Sequence, residues 1–288
     1  MSTTMPPTAP ATRPETVSWG ADPYADALRS GRGPLFLRRT DGWLLPLEVE
    51  RWCAGADTAD LSALRRCEGT VLDIGCGPGR LVAALAARGR RALGIDVSEA
   101  AVSRTAATGG AALRRSVFES LPDEGSWGTA LLLDGNIGIG GDPHALLARS
   151  AELVVHGGLL IVETTAADVD ERVRVRVDNG YGGHRAQGDL FPWARVGTPA
   201  LLRYAAPAGW LPVDRWTIAE HAAGEGEFES GEAGCRPGTG AVPEQRPSPG
   251  EERADPEHRP APERRFVALR RAAPTARRGA AIPDLTAR

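Results

Sequence analysis

The sequence predicts an α/β protein built on a doubly wound, mostly parallel sheet with helices on both of its faces. Three observations carry that expectation. Short, β-branched or leucine-rich apolar runs recur at residues 70–75, 91–96, 128–134 and 158–165, and runs of this kind suit strands buried on both faces. Segments with alanine- and leucine-rich helical faces stand between them, and strand–helix units of about 20–30 residues imply parallel crossovers. A glycine-rich turn, GCGPG (75–79), directly follows the first run. In open α/β sheets, ligands bind at such carboxyl ends of strands.

Taken in order, residues 1–16 are rich in Pro, Thr and Ala and read as a flexible lead. Residues 17–66 read as an accessory segment: DPYADALRSG is a short helix closed by Gly31, and GPLFLRRTDGWLLPLEVERWC gives apolar pieces broken at Asp41-Gly42. The main domain is expected over 67–221. After its first strand, RLVAALAARG forms a helix that ends at Gly89 with Leu81 and Leu85 toward the sheet. The second strand ends at Asp96, and Ser98 caps the next helix, EAAVSRTAAT. Residues 111–117 supply a third strand and 128–134 a fourth. Asp142 and Pro143 then start a helix expected to carry both His144 and His156. The fifth strand covers 158–165.

Beyond it, ERVRVRV (171–177) alternates with period two, as a half-exposed strand does at a sheet edge or in an excursion. Arg172, Arg174 and Arg176 then share one face. GYGGHRAQGDLFPWARVG is expected as a loop, Thr198-Pro199 as a helix start, and WLPVDRWTIAEH as a sixth strand. Gly, Pro and Glu dominate residues 222–262, so that stretch reads as a disordered insert. Residues 263–273 restore an alternating strand, the seventh, and 274–288 form a loose tail.

Composition narrows the function classes. The chain has 288 residues, 42% of them hydrophobic, and a formal charge of −3 from 34 basic and 37 acidic side chains. That balance carries no basic footprint, so nucleic acid is not an expected partner. The four cysteines lack a CxxC pair and matching histidine spacing, so no metal site is expected. No signal-peptide order and no apolar run near the roughly 20 residues of a membrane span appear, which points to a cytoplasmic protein with reduced thiols and no membrane partner. Nothing in the composition bears on oligomeric state.

The most specific signal is VLDIGCGPGR (71–80). Gly75 and Gly77 let the backbone turn sharply and approach a ligand, and Gly79 lets the next helix pack close to the strand. Asp96 follows about 20 residues after the glycines, where a carboxylate can accept the ribose hydroxyls of a nucleoside. With Asp73 two residues ahead of Gly75, the run resembles motif I of the class I S-adenosylmethionine-dependent methyltransferases, and GIDVSEAAV (94–102) resembles the motif that follows it. The resemblance implies a Rossmann-like, seven-stranded sheet, S-adenosylmethionine as cofactor and a small-molecule acceptor. It implies cofactor contacts at Asp73, Gly75, Cys76, Gly77, Gly79, Asp96 and Val97. Asp134, Gly135 and Asn136 match positions that line the methionyl end, with Gly138, Gly140 and Gly141 expected to let their loop close. After the third strand the family often has an adenine-reading Asp where Val117 stands here, which leaves the Phe118 amide or the Glu119 side chain for that role. The family's nucleic-acid enzymes often carry a proline-rich tetrad after the fourth strand, and this chain has DGNI (134–137) instead.

Other readings remain open at this point. A nicotinamide-dependent oxidoreductase would use a related fold, but its G-x-G-x-x-G spacing fails because Arg80 takes the third glycine's place. A cofactor-binding protein without turnover would carry the same bend. Cys76 reads as packing within the turn and not as a nucleophile. If the acceptor must lose a proton to a base, the candidates are Asp134, Glu163 and His184. Tyr181, His184, Trp193 and Arg195 are the expected acceptor-side residues, and the segment from Tyr24 to Trp43 is expected to cover the cofactor.

Overall fold

The computed structural model describes residues 23–181, 188–219 and 263–273. The expected lead, the 222–262 insert, the 274–288 tail and His184 lie outside the described residues.

Seven strands form the main sheet in the order β10-β11-β7-β6-β3-β4-β5. β3 (Val71–Ile74), β4 (Ala92–Asp96), β5 (Ala112–Arg114), β6 (Trp127–Leu132) and β7 (Val154–Thr164) are mutually parallel. β10 (Trp210–Ala219) and β11 (Glu263–Arg271) close the far side as an antiparallel pair, with β11 inserted between β10 and β7. β3 is buried along its whole length. Both faces of the sheet are covered, as a continuous apolar run requires. On one face α6 (Pro143–Leu153) and α7 (Thr198–Ala205) pack with Leu72, Ile74, Leu160 and Val162. On the other, α3 (Thr58–Leu64) and α4 (Arg80–Ala86) pack with Val71, Leu131 and Ile161. The architecture is the Rossmann-like α/β fold that the sequence predicts.

Local chemistry sets the helix starts. Asp57 caps α3 through a reciprocal bond with Asp60, and Ser98 caps α5 (Glu99–Ala107). Asp142 accepts from the amides of His144 and Ala145, with Pro143 at the first position of α6. α6 ends at Leu153 and the chain passes straight into β7, so His156 lies on a strand and not on the helix. The third strand is also shorter than expected, because Ser116 to Glu119 close into a turn.

A second sheet, absent from the sequence reading, has the order β2-β1-β8-β9. β1 (Phe36–Arg39) and β2 (Leu44–Pro46) form a hairpin around Asp41-Gly42, and β1 pairs antiparallel with β8 (Asp170–Asp178). The alternating 171–177 run is therefore an excursion from the main sheet. β9 (Phe191–Val196) falls in a stretch expected as loop, and it pairs with β8 and bridges Ile139 through Trp193. Leu37, Val175, Val177 and Phe191 turn inward against α1 (Pro23–Ser30) and α2 (Val49–Cys53). Arg172, Arg174 and Arg176 alternate with these valines and occupy the opposite, outer face.

Candidate cofactor and acceptor pocket

A pocket opens over the carboxyl ends of β3, β4 and β6, beneath the second sheet. Ile74, Gly75, Asp96 and Val97 form its floor at the first two strand ends. Val117 and Phe118 flank one side, and Asp134 and Asn136 another. Tyr24, Trp52, Phe191 and Trp193 stand over it.

The glycine bend is shaped by its neighbours. Gly75 has φ of 74°, and a Cβ there would sit 2.6 Å from Asn136 Nδ2. Asn136 can approach so closely because it donates to the carbonyls of Ile74 and Gly75, both at 3.0 Å. Gly79, at φ of 87°, starts α4, and a Cβ there would fall on the Thr105 side chain of α5. Cys76 packs with its sulfur over Gly94 of β4, and burial pushes its thiol up. It is a packing residue at the back of the bend, not part of the pocket lining.

Asp96 ends β4 with each carboxylate oxygen held by one amide. Oδ1 accepts from Ser98 at 2.8 Å and Oδ2 from Gly77 at 3.0 Å. Each oxygen keeps a further lone pair for a ligand hydroxyl. Desolvation pushes this carboxyl up to about 6 against those amide bonds. Asp73 lies behind the bend at 1% exposure, its Oδ2 without a hydrogen-bond partner. Burial pushes Asp73 up to about 7, with Arg80 opposing.

Asp134 takes a left-handed backbone, with φ of 55°, just past β6. Arg80 donates to it from Nη1 and Nη2 at 2.7 and 3.0 Å, and Arg51 from Nη2 at 2.8 Å. Burial alone would raise this carboxyl, but the guanidiniums outweigh it and hold Asp134 far below the usual range. The same Arg80 bonds Asp60 at 2.8 and 2.9 Å, while Arg264 on β11 bonds Asp60 at 3.0 Å and Glu163 at 2.7 and 2.8 Å. Glu163 in turn accepts the Asp134 amide at 2.9 Å. Three cations and three buried carboxylates thus tie α2, α3, α4, β7 and β11 to the loop after β6. Sequence reasoning missed Arg51, Asp60 and Arg264, and it met Arg80 only as a break in a glycine spacing.

The remaining predicted residues divide. Trp193 lines the pocket, while Tyr181 is 76% exposed and Arg195 pairs with Glu171 at 2.8 Å; neither Tyr181 nor Arg195 reaches the lining. Phe118 forms wall, but its amide donates to Ser116 Oγ at 3.3 Å, and Glu119 Oε2 accepts the Ser116 amide at 2.7 Å. Both groups expected to read adenine are therefore engaged in a local turn, and Glu119 is not in the lining. Gly138 and Gly141 were expected to give a flexible loop, yet both pack against β9, where a Cβ would meet Ala194, Trp193 or Pro192. Gly135, in a left-handed conformation, precedes a 3-10 turn at Asn136–Gly138. Tyr24 lies in the segment expected to cover the cofactor, whereas Trp52 carried no signal in the sequence.

Comparison with known proteins gives two findings. A family model described as a methyltransferase domain matches residues 50–209. Among solved structures, an S-adenosylmethionine-dependent methyltransferase from Bacteroides fragilis, in complex with S-adenosyl-L-homocysteine, is 17% identical with a TM-score of 0.56. That match covers 87% of this chain and 93% of the other. A possible histamine N-methyltransferase from Thermotoga maritima is 20% identical at a TM-score of 0.45, covering 77% of this chain and 93% of the other. Comparison with curated proteins gives no match. Among the described residues, no helix is long and apolar enough to cross a membrane.

Proposed function

The chain belongs to the methyltransferase-domain family, and from that premise we propose that it transfers the methyl group of S-adenosylmethionine, in line, to a small-molecule acceptor. The observation that carries this reading is the Asp96 carboxylate in the pocket floor, beside the Gly75 bend. Its two oxygens are oriented by backbone amides and keep lone pairs for the ribose hydroxyls. Val117, Phe118 and Ile95 offer apolar surface for an adenine ring. Asn136 and Asp134 border the end where the methionyl group would lie. This donor set suits a positively charged nucleoside better than a pyrophosphate, for which glycine-rich helix starts are ordinarily selected.

Bound S-adenosylmethionine supplies a methyl group already activated by a positive sulfur. The chain's own task is alignment, an effect worth up to roughly 7–11 kcal/mol in well-oriented systems. The second sheet and α2 cover the pocket with rings and branched side chains, which exclude water. That cover also favours an acceptor small enough to fit beneath it. Asp134 and Glu163 are both committed to guanidiniums, and Asp134, held far below the usual carboxylate range, is a poor proton acceptor.

Calorimetry with S-adenosylhomocysteine tests the reading. Wild type should bind, and Asp96→Ala should lose two charge-assisted bonds worth about 1.5–3 kcal/mol each, a weakening of more than about a hundredfold. Equal affinity in a folded variant, or binding of NADH in place of S-adenosylhomocysteine, would sink it.

A further inference from the structure

Among the described residues three buried side-chain atoms lack a hydrogen-bond partner: Asp73 Oδ2, Arg51 Nη1 and Trp52 Nε1. The two donors belong to consecutive residues of α2, and both residues stand at the pocket. Trp52 lines it, and Arg51 Nη2 donates to the lining carboxylate of Asp134 at 2.8 Å. Arg51 Nε is also engaged, donating to Glu48 at 2.6 Å. The Trp52 ring packs edge-to-face with Tyr24, whose hydroxyl lies 3.6 Å from the position that a Gly77 Cβ would take. α2 is thereby tied both to the cover of the glycine bend and to the loop after β6.

The bend's own donors are already engaged. The amides of Gly75 and Cys76 both bond the Ile95 carbonyl, at 2.9 and 3.0 Å, that of Gly77 bonds Asp96, and that of Gly79 bonds the Cys76 carbonyl. Asn136 Nδ2 donates to the Ile74 and Gly75 carbonyls, and Arg80 to Asp60 and Asp134. A buried donor left unpaired is destabilising, more so on a charged group, and in native proteins such a group calls for a partner. A carboxylate has lone pairs for both idle donors and the charge to match Arg51, whereas an ammonium has neither.

We propose that Arg51 and Trp52 form a carboxylate subsite of the pocket, with Arg51 Nη1 and Trp52 Nε1 donating to a carboxylate of the ligand. This assignment rests on the methyl-transfer reading above. That reading offers two sources of the group, the methionyl carboxylate of the cofactor and a carboxylate carried by the acceptor. Both donors are closed to water in this structure, so the ligand must displace neighbouring atoms around α2 to meet them.

Calorimetry on the full chain compares S-adenosylhomocysteine with its analogue lacking only the carboxylate. Failure of wild type to bind S-adenosylhomocysteine would remove the methyl-transfer reading and this one with it. If the cofactor is the source, wild type should bind the complete molecule at least about tenfold more tightly than the analogue. Arg51→Met should cut that preference to about twofold or less, and Arg51→Lys should keep part of it. Trp52→Phe, which keeps a ring and removes the N–H, should lower it about fivefold. If the acceptor is the source, the ratio is the same in all four proteins. Wild type loaded with S-adenosylhomocysteine should then bind benzoate at least about tenfold more tightly than benzamide, and the variants should lose that preference. In either case the indole N–H resonance of Trp52, identified by its absence from Trp52→Phe, should move further downfield with the carboxylate-bearing molecule than with its carboxylate-free counterpart. Each ratio is read within one protein, so a merely destabilised variant does not change it. Tight S-adenosylhomocysteine binding with ratios that neither Arg51→Met nor Trp52→Phe alters in either arm would overturn the subsite and leave the methyl-transfer reading in place.

Discussion

Asp73 shows how much a single carboxyl can weigh when it is shut away from water. It is buried at the carboxyl half of β3 with one oxygen unpaired, and desolvation raises it to about 7. Its folded-state pKa lies above the ordinary value of 3.8, so the stability contributed by the protonated form is complete below that value and is lost as pH climbs toward about 7. Asp73→Asn cannot ionise. Its melting temperature should match wild type near about pH 4 and exceed it increasingly up to about pH 8. A difference that stays constant over that range would show that Asp73 is not protonated in the folded protein. The position of this residue was readable from its spacing to Gly75. Its environment was not, because the groups that act on it, Arg80, Asp134 and Asp60, lie on three separate elements.

At the scale of elements, the loop after β6 and the strand β9 depend on each other. Gly138 lies so close to β9 that a Cβ would strike the Ala194 carbonyl and the Trp193 ring. Gly138→Ala should therefore push β9 outward. The expected cost is about 1–3 kcal/mol in urea unfolding, with a shift in the emission of Trp193. Unchanged stability would mean that the two elements can separate freely. The inner parallel strands β3, β4, β6 and β7 were legible because each contains an apolar run, and a strand buried on both faces needs no partner-specific pattern. β9 was not legible: its burial does not alternate, Pro192 lies within it and glycines precede it. The run 171–177 announced itself as a strand, yet nothing local could tell that its partner would be Phe36–Arg39, more than a hundred residues earlier.

Across the whole molecule, the charge cluster around Arg80 and Arg264 ties α2, α3 and the last described strand, β11, to the loop after β6. The Arg264 side chain is 4% exposed and bonded to Asp57, Asp60 and Glu163. Arg264→Met would leave Asp60 and Glu163 buried without that partner, and losing one member of such a group costs about 3–5 kcal/mol. Urea unfolding measures that loss, and Arg264→Lys should recover only part of it because an ammonium cannot repeat the planar fork. A variant as stable as wild type would show that the cluster does not hold the fold together. None of this was visible in the sequence, since hydrogen bonds spanning 101 and 204 residues leave no trace in spacing.

The insertion of β11 between β7 and β10 has a consequence for how the protein is made. β7 ends at Thr164 and its partner begins at Glu263. On the ribosome, the edge of β7 must therefore wait while roughly a hundred further residues are synthesised, several seconds at about 5–20 residues per second. During that interval an apolar strand edge is open to wrong neighbours, so the newborn chain is at its most vulnerable to aggregation just before its last described strand emerges.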